Sequence, residues 1–303
     1  MDLRTAKRIF LTAKQAQNVT GRTLETYVAD IDRFFGFVVS KNIFDVSEIT
    51  AETIREFLKV LKDSKKMRNI TIFKVYRELK TLFLFLYRED YINSNPMKTI
   101  VPPRVEEKKM RTFTSREISK LLNSFNKEDF FGMRNYSIMC VFFSTGIRKT
   151  ELLNLKIADL NITNDLLRVF GKGNKERFVP LGRTVRRTLI QYLRMRKEYL
   201  GDESCKYLFP SRTKRRLTCS GINMLFQKLK KELQLTGEKV SSHTWRHTFA
   251  KNYLLNGGDV FSLQKIMGHS DLETTRGYLN LNDEEMKLQH ARYNPLDNKD
   301  WLY

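Results

Sequence analysis

Between His243 and Tyr278 the chain reads HTWRHTFAKNYLLNGGDVFSLQKIMGHSDLETTRGY, which brings His243, Arg246, His247, His269 and Tyr278 into one short stretch. The stretch holds three of the protein's four histidines, the other being His290. A guanidinium, imidazoles and a phenol gathered this closely suit chemistry on a phosphate. The cation faces anionic oxygens, an imidazole moves a proton, and the phenol can act as nucleophile. A phenol with a pKa near ~10 is weak at neutral pH, so it needs a base and cationic neighbours. His243 and Arg246 lie at i and i+3 of a predicted helix and therefore share a face. His247, beside Arg246 in sequence, is expected to point away from the cluster. His269 follows Met267-Gly268 at a predicted helix end, and Tyr278 lies inside TTRGYLN.

Two earlier segments carry groups suited to the same anion. Arg148 follows Ser-Thr-Gly-Ile where a helix reading RKTELLNL begins, which sets a rigid fork of donors beside free backbone N–H groups. Glu151, one turn later, can hold that arginine through an i, i+3 contact. Lys172 lies in GKGNKE, a glycine-bearing hairpin whose tip can carry an ammonium into a cleft and protonate a departing oxygen; Lys175 competes for that role. The hairpin lacks the GxxxxGK[ST] spacing of a nucleotide-binding loop. Cys140, Cys205 and Cys219 show no CxxC spacing, so neither a zinc site nor a disulfide framework is expected, and Cys140 reads as a core thiol.

The charge balance says what the site would act on. Against 34 Asp and Glu stand 55 Lys and Arg, a formal charge of +21. A surplus of that size attracts polyanions, and nucleic acid is the first candidate, bound through phosphate neutralisation, with a merely cationic soluble protein or an anionic membrane surface as the alternatives. No apolar run approaches the roughly twenty residues that span a bilayer, and the charged opening MDLRTAKRIF is unlike a signal peptide. No membrane is expected, and free thiols point to the cytoplasm.

The elements that must position these groups fall into two domains, for which 303 residues leave room. Residues 1–92 read as a small helical bundle with basic outer faces. Thr20 caps a helix carrying Leu24, Tyr27, Val28, Ile31, Phe34, Phe35 and Val38 at spacings of three and four. A second helix near 51–62 lines up Ile54, Phe57, Leu58 and Leu61. A third near 67–89 lines up Ile72, Val75, Leu79, Leu82, Phe83 and Leu86. Residues 93–111, with three prolines and scattered charge, read as an extended linker. Residues 112–303 form the second domain, opened by a capping box of Thr114 and Glu117. Within it come a buried helix over 136–146 ending at Gly146 and strands at 166–170 and 177–181. Helices are predicted over 184–200, 221–235, HTWRHTFAKNYLL, DVFSLQKIM and around 272–279. A tail starts at about Asp283 as an amphipathic helix. The fold class is thus mainly α with a small β-sheet or hairpin: a helical bundle followed by an α+β domain.

Taken in order, STGIRKTELLNL, the GKGNKER hairpin, HTWRHTFA and MGHSDLETTRGYLN resemble the four signature segments of the tyrosine site-specific recombinases, the family of phage integrases and Xer recombinases. The preceding bundle and linker resemble that family's core-binding (SAM-like) domain, so the resemblance covers nearly the whole chain. It implies that Tyr278 attacks the scissile phosphate and forms a 3′-phosphotyrosyl bond. It implies further that Arg148 and Arg246 clamp the non-bridging oxygens and Lys172 protonates the leaving 5′-oxygen. His243 would act as base toward the phenol, His269 would hydrogen-bond the phosphate, and Glu151 would orient its neighbours. No metal, cofactor or ATP is implied, because the phosphotyrosyl diester keeps the energy of the broken strand and the cations supply positive charge.

The same resemblance implies a bacterial, nucleoid-associated enzyme that exchanges strands between two DNA sites in a homotetramer. It would be a monomer or weak dimer when free, with room for an accessory DNA-bending or directionality factor. The two domains would close on DNA as a clamp, and the tail would dock on a neighbouring protomer. Trp245, where the family often has leucine, should alter packing only. Gly277, costing about 1 kcal/mol of helix propensity against alanine, predicts a mobile Tyr278 that orders on assembly. The alternatives are a non-catalytic DNA-binding protein of the same fold and a type IB topoisomerase-like enzyme. Whether the task is chromosome resolution, phage integration or plasmid and transposon mobility stays open.

Overall fold

The computed structural model describes residues 1–64, 67–105, 111–201, 205–235, 240–268, 285–287 and 290–291, with Lys172 described through its backbone only. Two compact units are present, Met1–Lys108 and Lys109–Tyr303. Among the described residues the protein is mainly α-helical with one three-stranded antiparallel sheet.

The first unit contains α1 (Leu3–Ala16), α2 (Gly21–Val39), α3 (Ala51–Asp63) and α4 (Asn69–Arg88). The predicted stripes on α2, α3 and α4 turn inward. Ile31, Phe34, Val38, Ile54, Phe57, Val75, Leu79, Leu82, Phe83 and Leu86 are all buried. Phe34 is the hub of this core, meeting Phe57 at 5.1 Å and Phe83 at 6.0 Å between ring centres, both edge to face. Thr20 stands at the start of α2, yet its hydroxyl pairs with that of Thr23 and caps no amide. The charged segment of α1 hid its helical stripe: only Leu3, Ala6 and Phe10 are buried along it.

The proline-bearing stretch after α4 is not free chain throughout. Ile92, Met97 and Ile100 are buried in the first unit, and the Tyr76 hydroxyl donates to the Ile100 carbonyl at 2.9 Å. At the other end, Phe113 N–H donates to the Thr248 hydroxyl at 2.8 Å and so belongs to the second unit. Prolines forbade a helix but did not prevent burial of the apolar residues between them.

Two carboxylates meet between α2 and α4. Asp30, 5% exposed, accepts from Arg33 at 2.7 Å and Lys74 at 3.3 Å, while Lys74 also lies 3.5 Å from Glu78. Burial, then the hydrogen bond and charge of Asp30, push the Glu78 carboxyl up to about 7. An acid whose pKa is raised on folding keeps its proton longer than in the unfolded chain. Stability therefore falls as pH rises from the ordinary glutamate range through about 7. Glu78→Gln should raise the melting temperature by a few degrees at about pH 8 and by much less at about pH 5. A thermal melt of both chains at the two pH values checks this; an equal shift at both would contradict it.

In the second unit, α5 (Ser115–Asn123) opens with the expected reciprocal cap: Thr114 Oγ1 accepts from Glu117 N–H, and Glu117 accepts from Thr114 N–H at 2.9 Å. The central helix α6 (Phe130–Thr145) starts earlier than predicted, because the Asp129 carboxylate accepts from Phe131 and Gly132 amides. It is buried on most sides, mainly through apolar residues, and packs against α8 (Arg183–Leu200) and α10 (Ser242–Leu255). A short helix, α7 (Lys149–Asn154), precedes the sheet, whose order is β1 (Leu160–Asn161), β2 (Leu166–Phe170), β3 (Glu176–Pro180). The two-residue β1 gave no periodic signal to read. The strands β2 and β3 pair antiparallel from Leu166 opposite Pro180 to Phe170 opposite Glu176. Further along come α9 (Cys219–Glu232) and α11 (Val260–Met267), the latter docked on α10 through Phe249, Leu254, Leu263 and Met267. Cys140 is buried in α6, as its apolar setting implied.

Candidate active site

Three separate segments converge on the C-terminal end of α11: the turn leading into α7, strand β3 and helix α10. The first is the turn between α6 and α7. Gly146 ends α6 in the left-handed region (φ 59°), and a Cβ there would lie 2.4 Å from the Phe249 ring, so glycine is required twice over. This reversal points the Gly146 carbonyl at α10 and sends Arg148 to the start of α7.

Arg246 on α10 ties that turn to α11. Its side chain is 4% exposed; Nη1 donates to the Gly146 carbonyl at 2.6 Å and Nη2 to the Met267 carbonyl at 2.9 Å. The two carbonyls fix this buried guanidinium between the turn and the end of α11. Arg148 is more open, at 38% side-chain exposure. Its Nη1 donates to Glu151 Oε1 at 3.0 Å, and Nη2 lies 3.4 Å from the Gly268 carbonyl. The expected i, i+3 contact is thus present. The Arg148 backbone N–H also donates to Glu151 Oε2 at 2.8 Å.

Glu151 is the electrostatic pivot, 4% exposed. Burial alone pushes its carboxyl up. The hydrogen bonds and charge of Arg177, with those of Arg148, outweigh that and hold it below the ordinary glutamate range. Arg177 on β3 does not stand out in the sequence. It donates from Nη1 and Nη2 to both Glu151 oxygens at 3.1 and 2.8 Å, and from Nε to the Ile266 carbonyl at 2.8 Å. Strand alternation held the signal: Arg177 sits two residues from the buried Val179 and so shares its inward face.

The hairpin between β2 and β3 closes as its glycine content implied. Gly171 N–H donates to the Lys175 carbonyl at 2.8 Å, and Gly173 and Asn174 both take left-handed backbone (φ 73° and 57°). The Lys172 backbone lies in that turn.

On α10, His243 is exposed and Arg246 buried, one turn apart. His247 corrects the expectation that it points away. Its ring centre is 6.5 Å from that of His243, on the same helical side. Burial first, then the neighbouring His243 and Arg246, push the His247 imidazole down to about 4, so it is neutral at physiological pH. The helix is anchored from behind by Trp245, which is fully buried against Phe113 (4.9 Å) and Phe143 (5.6 Å), the packing role expected of it. Met267 and Gly268 end α11, with Gly268 in the left-handed region (φ 64°).

His269 and Tyr278 follow directly in sequence and lie outside the described residues, as do the helix predicted around 272–279 and the expected mobility of Tyr278. Tail docking lies outside them too, apart from 285–287 and 290–291. There Glu285 pairs with Lys251 of α10 at 2.5 Å. Among the described residues no helix is long and apolar enough to cross a membrane.

The described part of the site therefore has three guanidiniums near the end of α11: Arg148 and Arg177 on the Glu151 carboxylate, and Arg246 on the Gly146 and Met267 carbonyls. Such a cluster is suited to an anion whose charge grows during reaction, which is what a phosphodiester does under nucleophilic attack.

Comparison with known proteins agrees. The phage integrase family matches residues 111–285. Tyrosine recombinase XerC of Natranaerobius thermophilus is 31% identical over 290 residues, covering 93% of this chain and 95% of the relative. Tyrosine recombinase XerD of Halalkalibacterium halodurans is 28% identical over 284 residues, covering 93% and 94%. Among solved structures, the XerH site-specific recombinase bound to palindromic difH substrate, a post-cleavage complex, superposes with a TM-score of 0.75. It is 24% identical, over 92% of this chain and 82% of that one, and so speaks to the fold.

Proposed function

The chain belongs to the phage integrase family, and from that premise we infer that it is a site-specific DNA recombinase, an enzyme that breaks and rejoins double-stranded DNA. The single observation that most supports this reading is the meeting of Arg148 and Arg246 at the end of α11. Each has a hydrogen bond or close approach to the backbone that runs into His269.

In this reading Tyr278 attacks the scissile phosphorus. The bond from phosphorus to the 5′-oxygen breaks, and a bond from phosphorus to the phenolic oxygen forms, leaving a 3′-phosphotyrosyl linkage. His243 takes the phenolic proton, and Lys172 gives a proton to the departing 5′-oxygen. Arg148, Arg246 and His269 hold the non-bridging oxygens while their charge rises. Attack by a 5′-hydroxyl from a partner strand reverses the chemistry and releases the tyrosine. One diester replaces another at each step, so no ATP is consumed. The protein acts as an oligomer on DNA; a tetramer joining two duplexes, and a cytoplasmic location on bacterial DNA, are part of the proposal. An excess of 21 positive charges supports a strong electrostatic share in DNA binding.

The test works without a defined target sequence. The protein is incubated with nicked, fragmented DNA of its source in the presence of a chelator, and covalent complexes are recovered after denaturation. The expected result is fragments joined at their 3′ ends that converge on a shared sequence. A non-catalytic binding protein would yield no covalent complex. A topoisomerase-like enzyme would yield complexes without sequence convergence.

A further inference from the structure

Arg177 is a heavily committed cation near the site, yet it takes no part in the proposed bond-making steps. It is 13% exposed, and three of its donors are used: two on Glu151 and one on the Ile266 carbonyl. The guanidinium also lies beneath Gly268. A Cβ on that glycine would be 3.0 to 3.1 Å from Nη1, Cδ and Cζ of Arg177. Glu151 in turn holds Arg148 through both its backbone amide and its side chain, and Arg148 reaches back to the Gly268 carbonyl. The contacts close a ring: β3 to α7 through Arg177 and Glu151, α7 to the end of α11 through Arg148, and that end back to β3 through Ile266.

We propose that Arg177 is a positioning residue for DNA cleavage, setting Glu151 and thereby the phosphate-facing Arg148 in register with the end of α11 that leads into His269. The proposal rests on the recombinase reading. Two physical effects carry it. The first is charge: without Arg177, the Glu151 carboxylate has Arg148 as its remaining guanidinium partner and draws it away from a phosphate. The second is geometry. Arg177 is on the strand that follows the Lys172 hairpin, so one side chain references the hairpin, α7 and α11 to each other. A lysine keeps the charge but has no planar fork to span two carboxylate oxygens and a carbonyl.

The experiment is single-turnover formation of the covalent protein–DNA complex at saturating protein, with DNA affinity and melting temperature measured alongside. The chains compared are the wild type, Arg177→Lys, Arg177→Gln and the double variant Arg177→Gln/Glu151→Gln. Displacement of reacting groups by about 1 Å costs roughly 10²-fold in rate, and that is the loss expected for Arg177→Gln and Arg177→Lys at unchanged DNA affinity. The double variant removes the unmatched carboxylate and should regain melting temperature, yet it should stay slow because the ties that set Arg148 and the end of α11, through Glu151 and Ile266, are both missing. Wild-type cleavage by Arg177→Gln would overturn the proposal. So would a double variant that recovers rate together with melting temperature, since Arg177 would then serve only to neutralise a buried charge. Failure of the wild type itself to attach to DNA would instead overturn the recombinase reading beneath it.

Discussion

Replacing Tyr278 by phenylalanine is expected to abolish covalent attachment to DNA while leaving DNA affinity unchanged. The substitution removes one oxygen and keeps the ring, so packing and the positive surface stay as they are. What is lost is the atom proposed to bond to phosphorus. Loss of a nucleophile that acts together with a base costs about 10⁶-fold in other enzymes, which places the residual rate below detection in a cleavage assay. A gel shift run beside the covalent assay separates chemistry from binding. Attachment that persists in Tyr278→Phe means another residue is the nucleophile.

The second large effect is expected at Arg246. Its guanidinium is buried and spends two donors on the carbonyls of Gly146 and Met267. Arg246→Lys keeps a positive charge, but a single ammonium cannot reach two carbonyls and a phosphate oxygen at once. Loss of one aimed donor to a developing oxyanion costs roughly 10²–10³-fold, and the lysine variant should slow single-turnover cleavage by about that much. Arg246→Ala should also lower stability, because each buried carbonyl left without a donor costs about 1–3 kcal/mol. The signature that separates the two roles is a lysine variant with a near-normal melting temperature and a slow cleavage step. If Arg246→Lys cleaves at the wild-type rate, the residue is a structural tie and does not clamp the phosphate.

Much of this architecture is readable from residue order. Helical stripes on α2, α3 and α4 are legible because apolar residues recur at three and four and the faces are amphipathic. The Thr114–Glu117 cap and the β2–β3 hairpin are legible because their chemistry is local. The contact of Glu151 with Arg148 is legible for the same reason: it spans one helical turn. Long-range contacts are not. Nothing local says that Arg177 reaches Glu151 and the Ile266 carbonyl, or that Arg246 reaches back to Gly146. Those distances are set by α6 packing on α10 and by α11 packing on α10. The alternation of β3 places Arg177 on an inward face, but an inward-facing arginine has meaning only once its partner is known. His247 departs from expectation for a different reason. Adjacency to Arg246 in sequence suggests divergence, whereas the i, i+4 relation to His243 is the one that governs a helical face.

In the proposed reaction this chain cuts DNA by joining Tyr278 to a 3′-phosphate. The most direct test is to trap the covalent complex on nicked DNA, digest the DNA and then the protein, and identify by mass spectrometry the peptide that retains a nucleotide. The predicted result is a single modified peptide containing TTRGYLN, with the nucleotide on Tyr278 through its 3′-phosphate. A nucleotide on any other residue, or one attached through a 5′-phosphate, would contradict it.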